Sequence, residues 1–291
     1  MNRRITALIA ALGVAGLALV GCGRDSDTLW VGSADFTESK LIAEIYAGAL
    51  RAKGIKVERA SLGTREAYVP ALRDGSIDLI PDYTGTLLQF LNKKAEETTP
   101  DAVYEALKRT VPAPLTVLDR SPAEDKDAVV VTKAFAQRNN VRSIADLAPM
   151  CGDLVFGGPS EFQQRADGMP GIERTYGCKF REFRALDTGP VTVKALADDT
   201  VQAADIFTTN PAIEENEFIA LDDPKNNFAA QNVVPLINSE KATPRAREIL
   251  NQVSAKLTTE LLIELNRAVN AADKPHTRTV AKEWLTANGL G

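Results

Sequence analysis

Asp82-Tyr83-Thr84-Gly85-Thr86 gathers a carboxylate, an aromatic face with a hydroxyl, and two threonine hydroxyls around one glycine. Such a set can hold a small polar or cationic solute, because the ring attracts a cation while hydroxyls and free N–H groups at a helix start donate to an acceptor. The same residues also suit a capped helix start with Tyr83 packed inside, and both readings stand at this stage. Groups for bond-making chemistry are scarce. His276 is the only histidine and follows Pro275 near a predicted helix start, where a surface role fits it. Acyl-transfer triads, zinc motifs, closely spaced cysteine pairs, phosphate loops and dinucleotide fingerprints are all absent from the sequence. The expectation is a binding protein without cofactor or metal. An enzyme on the same fold would have to turn its solute over, and a structural or adhesive lipoprotein would need no cleft.

The elements that must position this motif begin with a leader. Arg3 and Arg4 precede an apolar run from Ile5 to Val20 that closes on Leu19-Val20-Gly21-Cys22, the pattern of a secretory signal ending in a lipobox. The run is near the shortest length that spans a bilayer, but small residues fill it and a cysteine follows at once, which favours cleavage over a stop-transfer helix. Residues 1–21 would be removed, and acyl chains on Cys22 would anchor a short linker, 22–28, at the outer face of a membrane. The formal net charge of -5 becomes more negative once Arg3 and Arg4 are lost, which disfavours nucleic acid and anionic lipid as partners. Cys151 and Cys178 are then an even pair in an oxidising space, which predicts a disulfide; two separately buried thiols are the alternative.

From Leu29 onward, short apolar runs alternate with amphipathic helical stretches, which predicts an α/β fold. Leu29-Trp30-Val31-Gly32 reads as a strand, and Asp35 or Thr37 can cap a helix whose apolar residues Leu41, Ile42, Ile45, Tyr46, Ala49 and Leu50 share a face that ends at Gly54. Further strands are expected near Lys56-Val57-Glu58 and at Ile77-Asp78-Leu79-Ile80, the latter stopped by Pro81. The β-prone run from Ala128 to Thr132 opens a second set of units containing Leu154-Val155-Phe156, Phe180 to Phe183, a helix near Val191 to Ala197, and Ala204 to Phe207. Val233 to Ile237 carries the chain back, and helices fill the remainder, with a break at Lys274-Pro275. Two crossings between two lobes imply a hinge and a cleft.

Gly32-Ser33-Ala34-Asp35-Phe36-Thr37-Glu38-Ser39, Leu62-Gly63-Thr64, Asp82 to Thr86, the segment Phe162 to Gly171 and Tyr176-Gly177 together resemble the osmoprotectant-binding lipoproteins of quaternary-amine ABC importers. The resemblance runs over essentially the whole chain after Cys22. It implies a type II periplasmic-binding fold with lobe I at 29–127 plus 231–291 and lobe II at 128–230. It also implies a ligand such as glycine betaine, choline or carnitine, and delivery by a monomer to a membrane-embedded ABC permease with its ATPase. Tyr83 and Thr86 would belong to an aromatic cage with Phe207, and Arg165 would pair with a ligand carboxylate, its alternative being a surface charge on a loop. Relatives carry cage tyrosines where this chain has Asp127 and Gln231 beside Asn232, and some carry a lysine where this chain has Ala34 with Asp35 next to it. The cage is therefore incomplete. Asp125 and Asp127 would attract a cation, and Asp127 has the alternative of a solvated turn carboxylate beside Glu124. The expected ligand set is thus Asp35, Tyr83, Thr86, Asp125, Asp127, Arg165, Phe207, Gln231 and Asn232.

Overall fold

The structure, a computed structural model, describes residues 27–187, 189–271 and 276–291. The leader, Cys22 and the break at Lys274-Pro275 lie outside these residues. Its strands are β1 (Thr28–Ala34), β2 (Lys56–Gly63), β3 (Leu79–Tyr83), β4 (Leu115–Val117), β5 (Val129–Thr132), β6 (Val155–Gly158), β7 (Glu182–Ala185), β8 (Ala203–Asp205), β9 (Phe218–Ala220) and β10 (Val233–Asn238). They form two mixed sheets, ordered β2-β1-β3-β10-β4 and β7-β6-β8-β5-β9, each the centre of one lobe. Within them β1 runs parallel to β2 and β3, and β6 runs parallel to β7 and β8. The strands that arrive from the opposite lobe, β10 and β5, run antiparallel to β3 and β8. A strand entering from the hinge meets its sheet at the edge where the parallel strands end, so both sheets are mixed.

The helices are α1 (Thr37–Ala52), α2 (Arg65–Arg73), α3 (Thr84–Leu91), α4 (Pro100–Thr110), α5 (Lys133–Asn139), α6 (Ile144–Leu147), α7 (Met169–Tyr176), α8 (Pro190–Ala197), α9 (Ala212–Glu215), α10 (Pro244–Ser254), α11 (Thr259–Val269) and α12 (Thr277–Ala287). The apolar face read for α1 is fully buried in the first lobe with Leu250, Trp284 and Leu285 of α10 and α12. Gly54, at φ +80, closes α1 as expected, because the left-handed turn lets Ile55 N–H reach the Leu50 carbonyl at 3.0 Å. Two local expectations fail. Neither Asp35 nor Thr37 caps α1; Phe36 is the N-cap, with extended backbone and no side-chain cap bond. Pro81 does not stop its strand, because β3 continues to Tyr83 with Pro81 facing Pro235 of β10. Two prolines can share a pair position that exchanges no N–H between those strands, so the ladder loses nothing there.

In the second lobe Phe156 lies 5.4 Å from Phe162 and 4.8 Å from Phe180, ring to ring. Cys151 and Cys178 join the same core as a disulfide with Cα atoms 5.4 Å apart. With the two cysteines 27 positions apart in sequence, the loop-entropy relation assigns the bridge about 3.5 kcal/mol of stabilisation. Reduction should therefore lower the melting temperature measured by calorimetry without abolishing folding; an unchanged melting temperature after complete reduction would refute this.

The segments that cross between lobes are bound to each other. Glu124 and Asn232 form an antiparallel bridge, Asp125 N–H donates to the Gln231 carbonyl at 3.2 Å, and Val233 N–H donates to the Ala123 carbonyl at 3.1 Å. Thr208 N–H adds a bond to the Lys126 carbonyl at 2.9 Å.

Candidate functional site

The edges where β1 and β3 end in one lobe, and where β6 and β8 end in the other, are where open α/β sheets present ligands. In the first lobe the edge is built around Glu38 in the first turn of α1, which is 5% exposed. Tyr83, the last residue of β3, donates its hydroxyl to Glu38 Oε1 at 2.5 Å, and Asn266 Nδ2 of α11 donates to Glu38 Oε2 at 2.5 Å. Thr209, beyond β8, places its Oγ1 2.7 Å from Glu38 Oε2 and 2.8 Å from Asp125 Oδ1. One hydroxyl has one proton, so it cannot donate to two carboxylates at once; a second proton has to sit on one of the two carboxyls. Asp125 is the group that holds it, because burial and then the Glu38 charge push its pKa well above the usual carboxylate range. Burial and Glu38 likewise raise the Tyr83 phenol, which stays neutral.

A second cluster ties the start of α3 in place. Arg65 Nη2 reaches Asp82 Oδ1 and Thr86 Oγ1, both at 2.6 Å, and the Tyr68 hydroxyl donates to Asp82 Oδ2 at 2.8 Å. Thr86 N–H donates to Gln231 Oε1 at 3.0 Å. Gly85 is required here, since a Cβ would lie 2.6 Å from the Ala230 carbonyl oxygen.

The second lobe contributes Arg165, whose Nη2 contacts Asp127 Oδ2 at 2.5 Å and whose Nε contacts Asp167 Oδ1 at 2.7 Å. Asp205, the last residue of β8, lies against Asp127, carboxyl to carboxyl. Burial and then the Asp127 charge raise the Asp205 pKa well above normal; burial also raises Asp127, while Arg165 opposes that shift.

The structure thus brings Tyr83 and Asp125 into one buried network, Thr86 and Gln231 into a second, and Asp127 and Arg165 into a third. Phe207 is half-buried at the end of β8. Asp35 is not brought in: its side chain is 71% exposed and paired with Lys40 at 2.6 Å. Asn232 is committed to the hinge, donating to the Ser121 carbonyl at 3.1 Å and accepting from Arg120 at 2.9 Å. The residues not singled out from the sequence are Glu38, Thr209, Asn266, Arg65, Asp205 and Phe36. Phe36 keeps 38% of its surface exposed, with its ring 6.1 Å from that of Tyr83. An open depression of about 440 Å³ on the second lobe, lined by Lys133, Gln137 and Glu217 among others, contains none of these groups. Among the described residues no cluster of His, Cys, Asp or Glu is arranged to hold a metal ion, and no helix is long and apolar enough to cross a membrane.

Residues 27–287 match the family described as the substrate binding domain of ABC-type glycine betaine transport systems. The chain is 28% identical over 276 residues to the glycine betaine-binding protein YehZ of Escherichia coli (strain K12), with 89% of this chain and 90% of that protein aligned. It is 27% identical over 261 residues to the ergothioneine transport permease/ergothioneine binding protein EgtU of Helicobacter pylori (strain G27), a match that takes in 87% of this chain and 46% of that protein. Among solved structures, a crystal structure of a glycine betaine/carnitine/choline ABC transporter superposes with a TM-score of 0.79 at 22% identity, covering 90% of this chain and 99% of that one.

Proposed function

Since this chain belongs to the family of substrate-binding domains of ABC-type glycine betaine transport systems, we propose that it captures a small quaternary-ammonium solute between its two lobes. It is a transport protein and not an enzyme: proteins of this kind work outside the cytoplasm, bind a small solute and hand it to a membrane permease. The observation that supports the ligand class is the buried pair Glu38 and Asp125, whose partners are hydroxyl and amide groups rather than cations, beside the ring of Tyr83. A trimethylammonium group brings the missing positive charge, and each aromatic face it meets contributes about 0.5–2 kcal/mol. Tyr83, Phe36 and Phe207 are the rings we assign to that contact.

We further take residues 29–127 with 231–291 as one lobe and 128–230 as the other, in a monomer held at the membrane by acyl chains on Cys22. Intact-mass measurement of membrane-extracted protein reads that modification directly; an unacylated mature chain that still sediments with membranes would defeat it.

The ligand assignment is tested by titrating choline, carnitine, glycine betaine and ergothioneine calorimetrically, with amino acids and polyols as controls. For whichever trimethylammonium solute binds, Tyr83→Ala and Phe207→Ala should each weaken affinity at least tenfold, about 1.4 kcal/mol. If both variants fold and bind as the parent does, the ligand sits elsewhere.

A further inference from the structure

The two lobes also touch away from the crossing segments. On the second lobe the contact is made by α9, a single turn that follows β8. Its Ile213 packs on the core that holds Val130 and Ala204. The turn is braced at both ends: Asn210 Oδ1 accepts from Ala212 N–H at 3.0 Å, and Asn216 Nδ2 donates to the Ala212 carbonyl at 2.9 Å. Glu214 and Glu215 are therefore carried on a short element anchored in the second lobe.

Facing it is α11 of the first lobe, whose Leu262, Leu265 and Val269 share a core with Val31 and Leu41. Arg267 Nη2 donates to Glu214 Oε2 at 2.6 Å, and its Nε lies 3.5 Å from Glu215 Oε1. A guanidinium presents N–H groups along more than one edge, so a single arginine can hold the carboxylates of two adjacent residues. The residue before it also reaches across, Asn266 Nδ2 lying 3.3 Å from the Thr209 carbonyl oxygen. Residues 209–215 of the second lobe are thus held by consecutive side chains of one first-lobe helix.

The two contacts differ in character. Asn266 and Thr209 are 6% and 2% exposed and belong to the network around Glu38. The side chains of Arg267, Glu214 and Glu215 are 42%, 79% and 53% exposed. Water replaces each partner when such a pair separates, so parting is easy and neither core depends on it. Salt acts on exposed charges directly, because the screening length falls from roughly 10 Å at 0.1 M to roughly 3 Å at 1 M. An ion pair that spans two bodies, breaks without unfolding either and weakens with salt has the properties of a latch.

We propose that Arg267, with Glu214 and Glu215, is an electrostatic latch that favours this arrangement of the lobes in the absence of solute and releases as ionic strength rises. It concerns the relation between the lobes whatever the solute, and so stands apart from the ligand reading.

Small-angle scattering and hydrogen exchange of the ligand-free protein test it. At low salt Arg267→Glu should enlarge the radius of gyration and speed amide exchange across 208–217 about two- to fivefold, the factor that exposed ion pairs supply. The double change Glu214→Gln with Glu215→Gln removes the other half of the latch and should act in the same direction. The parent in roughly 1 M salt should move toward the variants, which should themselves respond little. Attraction rebuilt with exchanged charges, Arg267→Glu with Glu214→Arg and Glu215→Gln, should return both readings toward the parent. Melting curves run alongside certify that each variant is folded. Parental radius and exchange in the folded reversal and double variants overturn the proposal. So does a change that neither salt in the parent reproduces nor the exchanged charges reverse.

Discussion

Replacing Glu38 with alanine is expected to lower both the stability of the ligand-free protein and its affinity for a cation. Glu38 accepts from Tyr83, Thr209 and Asn266 at 2.5, 2.7 and 2.5 Å, all within a buried network. Hydrogen bonds to a charged group contribute about 1.5–3 kcal/mol each, and a donor left buried without an acceptor is itself costly. One effect offsets part of the loss: water can enter the space. A net destabilisation of about 3 kcal/mol is expected, which for a protein of this size moves the melting temperature by roughly 6–12 °C. Thr209 follows β8 of the second lobe whereas Glu38, Tyr83 and Asn266 belong to the first, so the same change loosens contact between lobes. Small-angle scattering of the ligand-free variant should show a larger radius than the parent. A variant with the parent's melting temperature and radius would mean that the network carries neither stability nor closure.

Arg165→Ala separates two roles for one guanidinium. If Arg165 served only to receive a ligand carboxylate, the ligand-free protein would melt as before. The structure makes it the counterion of Asp127 and Asp167, with Asp205 close behind, and removing one partner of a buried ion pair costs about 3–5 kcal/mol. Arg165 retains 29% side-chain exposure, which places the expectation at the lower end, about 3 kcal/mol. The pH dependence has a definite sign. Asp127 and Asp205 already have raised pKa values in the folded protein, and loss of the cation raises them further above the unfolded value of about 3.9. The folded variant then binds more protons than the unfolded chain, so its stability declines as pH rises from about 4 through the raised values. Melting temperatures of parent and variant should converge toward pH 4 and separate toward pH 8. Parallel curves across that range would contradict the counterion role.

Much of this arrangement is legible in the linear order of residues, and the exceptions have physical reasons. The strand-to-helix junction at Tyr83, the carboxyl end of β8 before Phe207 and the crossing at Asp127 all follow from local apolar runs and turn signals, which depend on neighbours in sequence. Glu38 does not. It lies one turn from Asp35 in the same segment, and what distinguishes the buried acceptor from the exposed surface acid is contact with Thr209 and Asn266, 171 and 228 residues away. Arg165 and Asp127 could each be picked out separately, but their mutual neutralisation spans 38 residues and is visible only in three dimensions. Asn232 has the residue type of a ligand contact, yet its amide is used by the backbone at Ser121. Strand β4 is three residues long in a proline-interrupted stretch, too short to leave a periodic signal, and it exists because β10 offers it an edge.

The bonds between the two crossing segments place the acidic groups on the pivot of the molecule. Two separate tethers would let the lobes slide and twist, whereas a paired ribbon favours a single swing. Asp125 and Asp127 belong to that ribbon and Thr209 is tied to it, so these groups move least when the lobes part. Phe207 and Arg165 travel with one leaf, and Phe36 and Tyr83 with the other. On the proposed function, a solute entering between the lobes would meet the hydrogen-bonding groups of this ribbon before the aromatic walls closed over it.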